Sequence, residues 1–201
     1  MVSKSAILFF IICSFLSCET KKEYYSLPSK GKEGSFNAVI EIPAGTNRKI
    51  EYHKNSREFK VDIKNGKERV IQFFPYIGNY GFIPSTLSDS ATGGDGDALD
   101  VLVLSENVPT GTVVEVLPIA MLKLIDDGEL DYKIIAVPLS QKSRIIDVKT
   151  YVELKNKFPE VITIIELWFL NYNKEEDAKI NGWGNELEAV KEISKNEVNE
   201  I

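Results

Sequence analysis

Gly93-Gly94-Asp95-Gly96-Asp97-Ala98-Leu99-Asp100 runs without a break into the apolar stretch Val101-Leu102-Val103-Leu104. Three carboxylates, Asp95, Asp97 and Asp100, fall within six residues, and the last stands at the mouth of what reads as a buried strand. An extended backbone puts Asp95 and Asp97 on one side. The glycines let the loop fold tightly enough for the carboxylates to converge. Carboxylates held so close repel one another unless a cation lies between them. All-oxygen ligands on a short loop suit a hard ion, Mg²⁺ or Ca²⁺, better than zinc. A calcium-binding EF-hand loop fits worse, since its pattern needs Asp or Asn at the fifth position and Gly at the sixth, where this chain has Leu99 and Asp100. Alone, the stretch accommodates both a metal site and a solvated Asp/Gly turn.

On the N-terminal side of this loop the pattern is β. Residues Phe36–Ile42, Lys49–His53, Glu58–Ile63 and Val70–Phe74 are short alternating or apolar runs, separated by stretches rich in turn formers. Asn79-Tyr80-Gly81-Phe82-Ile83-Pro84 is one more extended piece. On the C-terminal side come Val101–Leu104, Thr112–Ile125 and Asp131–Val137, divided by Pro109, Gly111, Pro118 and the turn Asp126-Asp127-Gly128-Glu129. Helical periodicity is confined to the last third. Pro159 suits a first turn, and Ile162, Ile165, Phe169 and Tyr172 recur at three- and four-residue spacing, widened by Val161 and Trp168. Asn185 and Glu188 have the spacing of a capping box for a second helix with Leu187, Val190 and Ile193 inward. Short strands followed by helices predict an α+β fold, mainly β: a small barrel with helices packed outside.

The chain of 201 residues, 43% hydrophobic, is enough for one domain with a sizeable core. Its first residues read as a leader. Lys4 precedes the apolar run Ala6–Leu16, which has signal-peptide length and is short for a membrane span. It ends in Phe15-Leu16-Ser17-Cys18, which resembles a bacterial lipobox with Cys18 as the lipidated residue; a plain signal peptide or a short anchor helix are the alternatives. The expected division is a lipoprotein signal peptide over 1–17, lipidated Cys18 and a flexible charged tether over 18–34, and a folded domain over 35–201. The expected location is therefore that of an exported bacterial lipoprotein, membrane-anchored on the periplasmic or cell-surface side. Loss of residues 1–17 removes Lys4 and moves the formal net charge from −6 to −7, which argues against nucleic acid as a partner.

Both cysteines, Cys13 and Cys18, belong to this leader, so the domain has neither a disulfide nor a thiol nucleophile. The single histidine, His53, sits in a charged strand-like segment and reads as a surface residue. If the domain does chemistry, carboxylates and metals are its means.

Five ordered stretches then carry a resemblance: Ile40-Glu41-Ile42-Pro43, Lys49-Ile50-Glu51, Asn79 through Pro84, Asp95 through Asp100, and Asp126 through Lys133. Together they resemble the soluble family I inorganic pyrophosphatases over about Phe36 to Ile193. That resemblance implies an OB-like five-stranded β-barrel with flanking C-terminal helices, and Mg²⁺-dependent hydrolysis of pyrophosphate, several Mg²⁺ ions per site. By it, Asp95, Asp100 and Asp131 resemble ligands of the tight metal site, with Asp100 also reaching a second metal. Asp97 resembles the acceptor of the proton from the metal-bridging water, the catalytic base. Asp126, with Asp131, resembles a ligand of a metal arriving with substrate, and Glu41 serves a fourth; Asp127 is the alternative to Asp126. Lys49, Arg69, Lys133, Tyr80 and Tyr172 resemble the groups that hold phosphate oxygens, while Glu51 and Tyr76 resemble supporting residues of the site. The family's usual Lys after the helix tyrosine is Asn173 here, with Lys174 following as a further phosphate-binding expectation. Arg57 and Lys67 are the alternatives to Arg69, whose spacing to Tyr76 differs by one residue from the bacterial pattern. Bacterial members often assemble as hexamers.

The chemistry agrees with the resemblance. Pyrophosphate is small and highly anionic, and divalent metals both neutralise it and lower the pKa of a bound water from about 15.7 toward roughly 7. Phosphoryl transfer rests on positioning and charge neutralisation, which matches a chain short of His and Cys. The competing expectations are a non-catalytic metal- or phosphate-binding lipoprotein on the same fold, and a hydrolase of another phosphoanhydride.

Overall fold

A computed structural model describes residues 21–175 and 177–198. Its centre is a closed ring of five strands. These are β1 (Phe36–Ile42), β6 (Asn79–Phe82), β7 (Asp100–Val103), β10 (Lys133–Pro138) and β8 (Val113–Asp126), with β8 returning to pair with β1. Four seams are antiparallel; the β7–β10 seam is parallel and sets Asp100 opposite Lys133. Two hairpins, β2 (Ile50–His53) with β3 (Glu58–Val61) and β4 (Ile63–Lys64) with β5 (Lys67–Glu68), stand beside the ring. A short β9 (Glu129–Leu130) folds back on the end of β8. Helices α1 (Tyr151–Lys157) and α2 (Pro159–Phe169) follow, then strand β11 (Lys179–Asn185) on the free edge of β8 and helix α3 (Glu186–Lys195).

Strand alternation builds two cores. Val101 and Val103 of β7 join Ile134 and Ala136 of β10 and Ala189 and Ile193 of α3 in one cluster. Leu102, Ile135 and Val137, from the opposite faces of the same strands, pack with Ile165, Trp168 and Phe169 of α2 in the other. Burial on both faces explains why β7 and β10 read as continuous apolar runs and not as alternating ones. Leu99 of the acidic loop is buried in the first of these clusters. Gly81 sets how closely β1 and β6 approach: a Cβ there would lie 1.8 Å from the Val39 carbonyl oxygen.

Several sequence expectations are corrected. Val70–Phe74 is not a strand: only Val70 bridges Arg48, and the residues after Ile71 bend toward Pro75, leaving Phe74 72% exposed. Pro118 does not divide its segment, since it sits at a bulge where the β8–β10 register shifts and no ladder N–H is required of it. Helix α1 was not expected from periodicity because it is only seven residues long, yet Thr150 caps it by accepting from the Glu153 amide. The gly-rich β11 was likewise missed. The capping box at Asn185 and Glu188 is present and Ile193 is inward as expected, but its inward companion is Ala189, while Leu187 is 72% exposed and Val190 lies at the surface. Of the stretch 18–34 expected as a tether, the structure describes residues 21–34. From Lys21 onward the stretch lies on the domain, with Tyr24, Tyr25 and Leu27 packed against Val39, Tyr52 and Phe82. The expected leader 1–17 and Cys18 lie outside the described residues.

Replacing Gly81 by Ala is expected to reduce stability by about 3 kcal/mol or more, because overpacking meets backbone and not a movable side chain. A urea unfolding midpoint equal to that of the wild type would contradict this.

Candidate active site

The acidic loop is fixed by its own hydrogen bonds. The Asp95 carboxylate accepts from the Asp97 amide at 3.1 Å, and the Asp97 carbonyl accepts from the Ser88 amide at 2.7 Å. Gly96, at φ 83°, makes a turn that a side chain would strain. The Leu130 amide donates to the Gly93 carbonyl at 2.7 Å, which draws the β8–β9 turn and Asp131 toward the loop.

Asp100, the first residue of β7, accepts from the Tyr80 hydroxyl at 2.5 Å and from the Lys133 ammonium at 2.5 Å. Lys133 also donates to Asp131. This lysine is only 3% exposed, so its charge is balanced almost entirely by those two carboxylates.

The opposite wall comes from β1, the first hairpin and the segment after β5. Glu41 is buried and accepts from the Tyr52 amide at 2.7 Å. Lys49 pairs with Glu51 at 2.8 Å, and Arg69 with Asp62 at 3.0 Å. Aromatic side chains close the α2 end: Tyr76 lies 5.3 Å from Tyr80 and 4.8 Å from Trp168, and the Tyr172 ring stacks on Trp168 at 4.7 Å. The Trp168 indole N–H is held by the Phe74 and Pro75 carbonyls at 3.0 and 3.1 Å.

These walls enclose one cavity of about 520 Å³. It brings together Asp95, Asp97, Asp100, Asp126, Asp131, Glu41, Lys49, Arg69, Lys133, Tyr80, Tyr172, Glu51 and Tyr76. Lys174 is not brought in. The helix ends at Phe169, so residue 174 lies in a turn beyond it, exposed and away from the cavity. Asp126 and Asp127 both line the cavity, whereas Arg57 and Lys67 are exposed outside it and Arg57 pairs with Glu23. Sequence reasoning missed Tyr25, Glu129 and Trp168 as lining residues. Trp168 stood on the apolar helix stripe four residues before Tyr172, a spacing that predicts contact.

The electrostatics are those of crowded anions. Burial raises the Glu41 carboxyl to about 8, assisted by Asp100 and Glu51 and opposed by the Tyr52 amide. Burial likewise lifts Asp95, Asp97 and Asp131 above the ordinary carboxylate range, with Asp100 adding repulsion to each. Burial works against the Lys133 ammonium, but Asp100 and Asp131 outweigh it and the net shift is upward. Among the described residues no three ligating side chains converge on a single point as a finished metal cage. The donor chemistry nonetheless fits hard divalent cations: nine cavity-lining acids supply only oxygen, neither His nor Cys lines the cavity, and Lys49, Arg69 and Lys133 leave most of the negative charge unbalanced.

Comparison with known proteins agrees with this architecture. The family model described as inorganic pyrophosphatase matches residues 38–199. The inorganic pyrophosphatase of Neisseria meningitidis serogroup A is 38% identical over 166 residues, covering 81% of this chain and 86% of that protein. That of Saccharolobus solfataricus is 38% identical over 177 residues, covering 84% and 93%. The crystal structure of inorganic pyrophosphatase from Thermus thermophilus superposes with a TM-score of 0.73 at 31% identity, covering 86% of this chain and 95% of that one. A type I enzyme from Toxoplasma gondii gives 0.78 at 26% identity, covering 87% and 85%. The chain belongs to the inorganic pyrophosphatase family.

Lys133→Met leaves two carboxylates facing each other in a largely buried site, and is expected to destabilise the protein in chelator by about 3–5 kcal/mol. Denaturant unfolding checks this; unchanged stability would show that Lys133 does not balance Asp100 and Asp131.

Proposed function

We propose that this protein hydrolyses inorganic pyrophosphate to two phosphates and requires Mg²⁺ to do so. The observation that carries the reading is the convergence of Asp95, Asp97, Asp100, Asp126, Asp131 and Glu41 with Lys49, Arg69 and Lys133 in one cavity of about 520 Å³. An anionic substrate cannot approach so many carboxylates unless cations intervene, and these carboxylates are the cation ligands. Asp95, Asp100 and Asp131 would hold the tightest ion, Asp126 with Asp131 another, and Glu41 a further one. Bound divalent cations supply charge neutralisation and acidify the attacking water.

The protein's own groups do the rest. Asp97 is reached by solvent, and burial with repulsion from Asp100 raises its carboxyl above its ordinary value; it takes the proton from the attacking water. Lys49, Arg69 and Lys133 hold phosphate oxygens by charge, Arg69 as a planar fork. Tyr80 is fixed by Asp100 and Tyr172 by Trp168, so their rings enter the site in set orientations. Glu51 and Tyr76 support the same walls, Glu51 through Lys49 and Tyr76 through Tyr80.

We further propose that the protein is an exported lipoprotein anchored at Cys18, with assembly into hexamers by analogy with bacterial members. Apolar residues 6–16 and Phe15-Leu16-Ser17-Cys18 support the anchor. Six residues lie between Cys18 and Tyr25, which lines the cavity, so seven Cα–Cα steps from an acyl chain at Cys18 keep that residue within about 25 Å of the bilayer surface.

Asp97→Asn is expected to lower the rate of phosphate release from pyrophosphate in Mg²⁺ by about 10²–10⁴-fold, the usual range for loss of a general base. Mg²⁺ binding measured by calorimetry should persist. Retained turnover would remove Asp97 from that role, and a wild-type protein that releases no phosphate would overturn the function.

A further inference from the structure

We propose that Tyr25, on the segment that precedes the barrel, contacts the substrate, its phenol hydroxyl donating to an anionic oxygen of pyrophosphate. This rests on the pyrophosphate reading above. It adds a residue that lies before the stretch 38–199 matched by the family model.

The segment is a built part of the domain. The Tyr52 hydroxyl donates to the Lys22 carbonyl at 2.8 Å, the Ser85 amide to the Tyr25 carbonyl at 2.7 Å, and the Ser85 hydroxyl to the Leu27 carbonyl at 2.9 Å. Farther along, Ser29 donates to Glu197 at 2.8 Å and Lys30 pairs with it at 2.9 Å. These contacts tie the segment to β2, to the loop after β6 and to the residues after α3.

Within that frame the Tyr25 ring has little freedom. It stacks on Phe82 at 4.4 Å with an interplanar angle of 18°, and the Lys54 ammonium lies 4.3 Å from its centroid. Phe82 is the β6 residue opposite Asp100, so the stack places Tyr25 beside the acidic loop. Tyr25 lines the same cavity as Glu41, Asp97 and Asp100. Its hydroxyl has no hydrogen-bond partner among the described residues, whereas the hydroxyls of Tyr52 and Tyr80 are both engaged. Burial first, then Glu41, Asp97, Asp100 and Glu51, hold the phenol well above its ordinary value, so it stays a proton donor. When cations occupy the carboxylates, the acceptor that arrives at this wall is a phosphate oxygen. A rigid, neutral donor there binds the substrate without adding positive charge.

Tyr25→Phe in the full chain keeps the ring, the Phe82 stack and the Lys54 contact, and removes only the hydroxyl. With Mg²⁺ present, the KM for pyrophosphate and the calorimetric Kd for the non-hydrolysable imidodiphosphate are expected to rise about tenfold or more, as for loss of a hydrogen bond to a charged acceptor. The kcat should change less than about twofold and the melting temperature should not move, since a binding contact is shared by ground and transition states. Unchanged KM and Kd in a variant of an active enzyme would overturn the Tyr25 contact and leave the hydrolase reading standing. A fall in kcat at constant KM would also overturn it. If the wild type binds imidodiphosphate without hydrolysing pyrophosphate, weaker binding by Tyr25→Phe upholds the contact while the hydrolase reading fails.

Discussion

The ion pair of Lys133 with Asp100 and Asp131, across the only parallel seam of the barrel, is the constraint on which the rest depends. A lysine 3% exposed is tolerated only because two carboxylates meet it, and those carboxylates are held together only because the lysine lies between them. The parallel register delivers Asp100 and Lys133 to one level, so strand pairing and site assembly are one event. The acidic loop then has a single way to close, with Leu130 pinned to Gly93 and Tyr80 donating to Asp100.

That arrangement leaves the cavity short of positive charge. One buried ammonium and two partly exposed cations face nine carboxylates, four of which are pushed upward by burial and mutual repulsion. A site strained in this direction favours whatever supplies compact positive charge. A polyanionic substrate and its cations therefore bind as partners, each screening what repels the other. The aromatic end of the cavity has a different task. Trp168, fixed by two carbonyls, orients Tyr172 at the point where α2 stops.

Much of this was legible in the sequence, for local reasons. Asp95, Asp97 and Asp100 are placed by a short glycine-containing turn, and the strands flanking them declare themselves by continuous apolar runs. What remained hidden depends on contacts between distant residues. Tyr25 sits in a charged segment that looks like a tether, and its role follows from Ser85 and Phe82, which are 60 and 57 positions away. Periodicity placed Leu187, Val190 and Ile193 inward on α3; Ile193 is buried, but it shares its face with Ala189 and not with Leu187 or Val190. Lys174 was assigned as if α2 continued, whereas the helix ends at Phe169 and the chain turns away. Local pattern gives the element; which face it buries is set by the partner.

The central claim is that this carboxylate cavity uses divalent cations to split pyrophosphate. Phosphorus-31 NMR of pyrophosphate incubated with the purified protein tests it most directly, with Mg²⁺ and again after chelation. The account predicts conversion of the pyrophosphate signal to orthophosphate alone, in Mg²⁺ and not in chelator. A pyrophosphate signal that persists in Mg²⁺ with folded protein, or orthophosphate that accumulates equally in chelator, would contradict it.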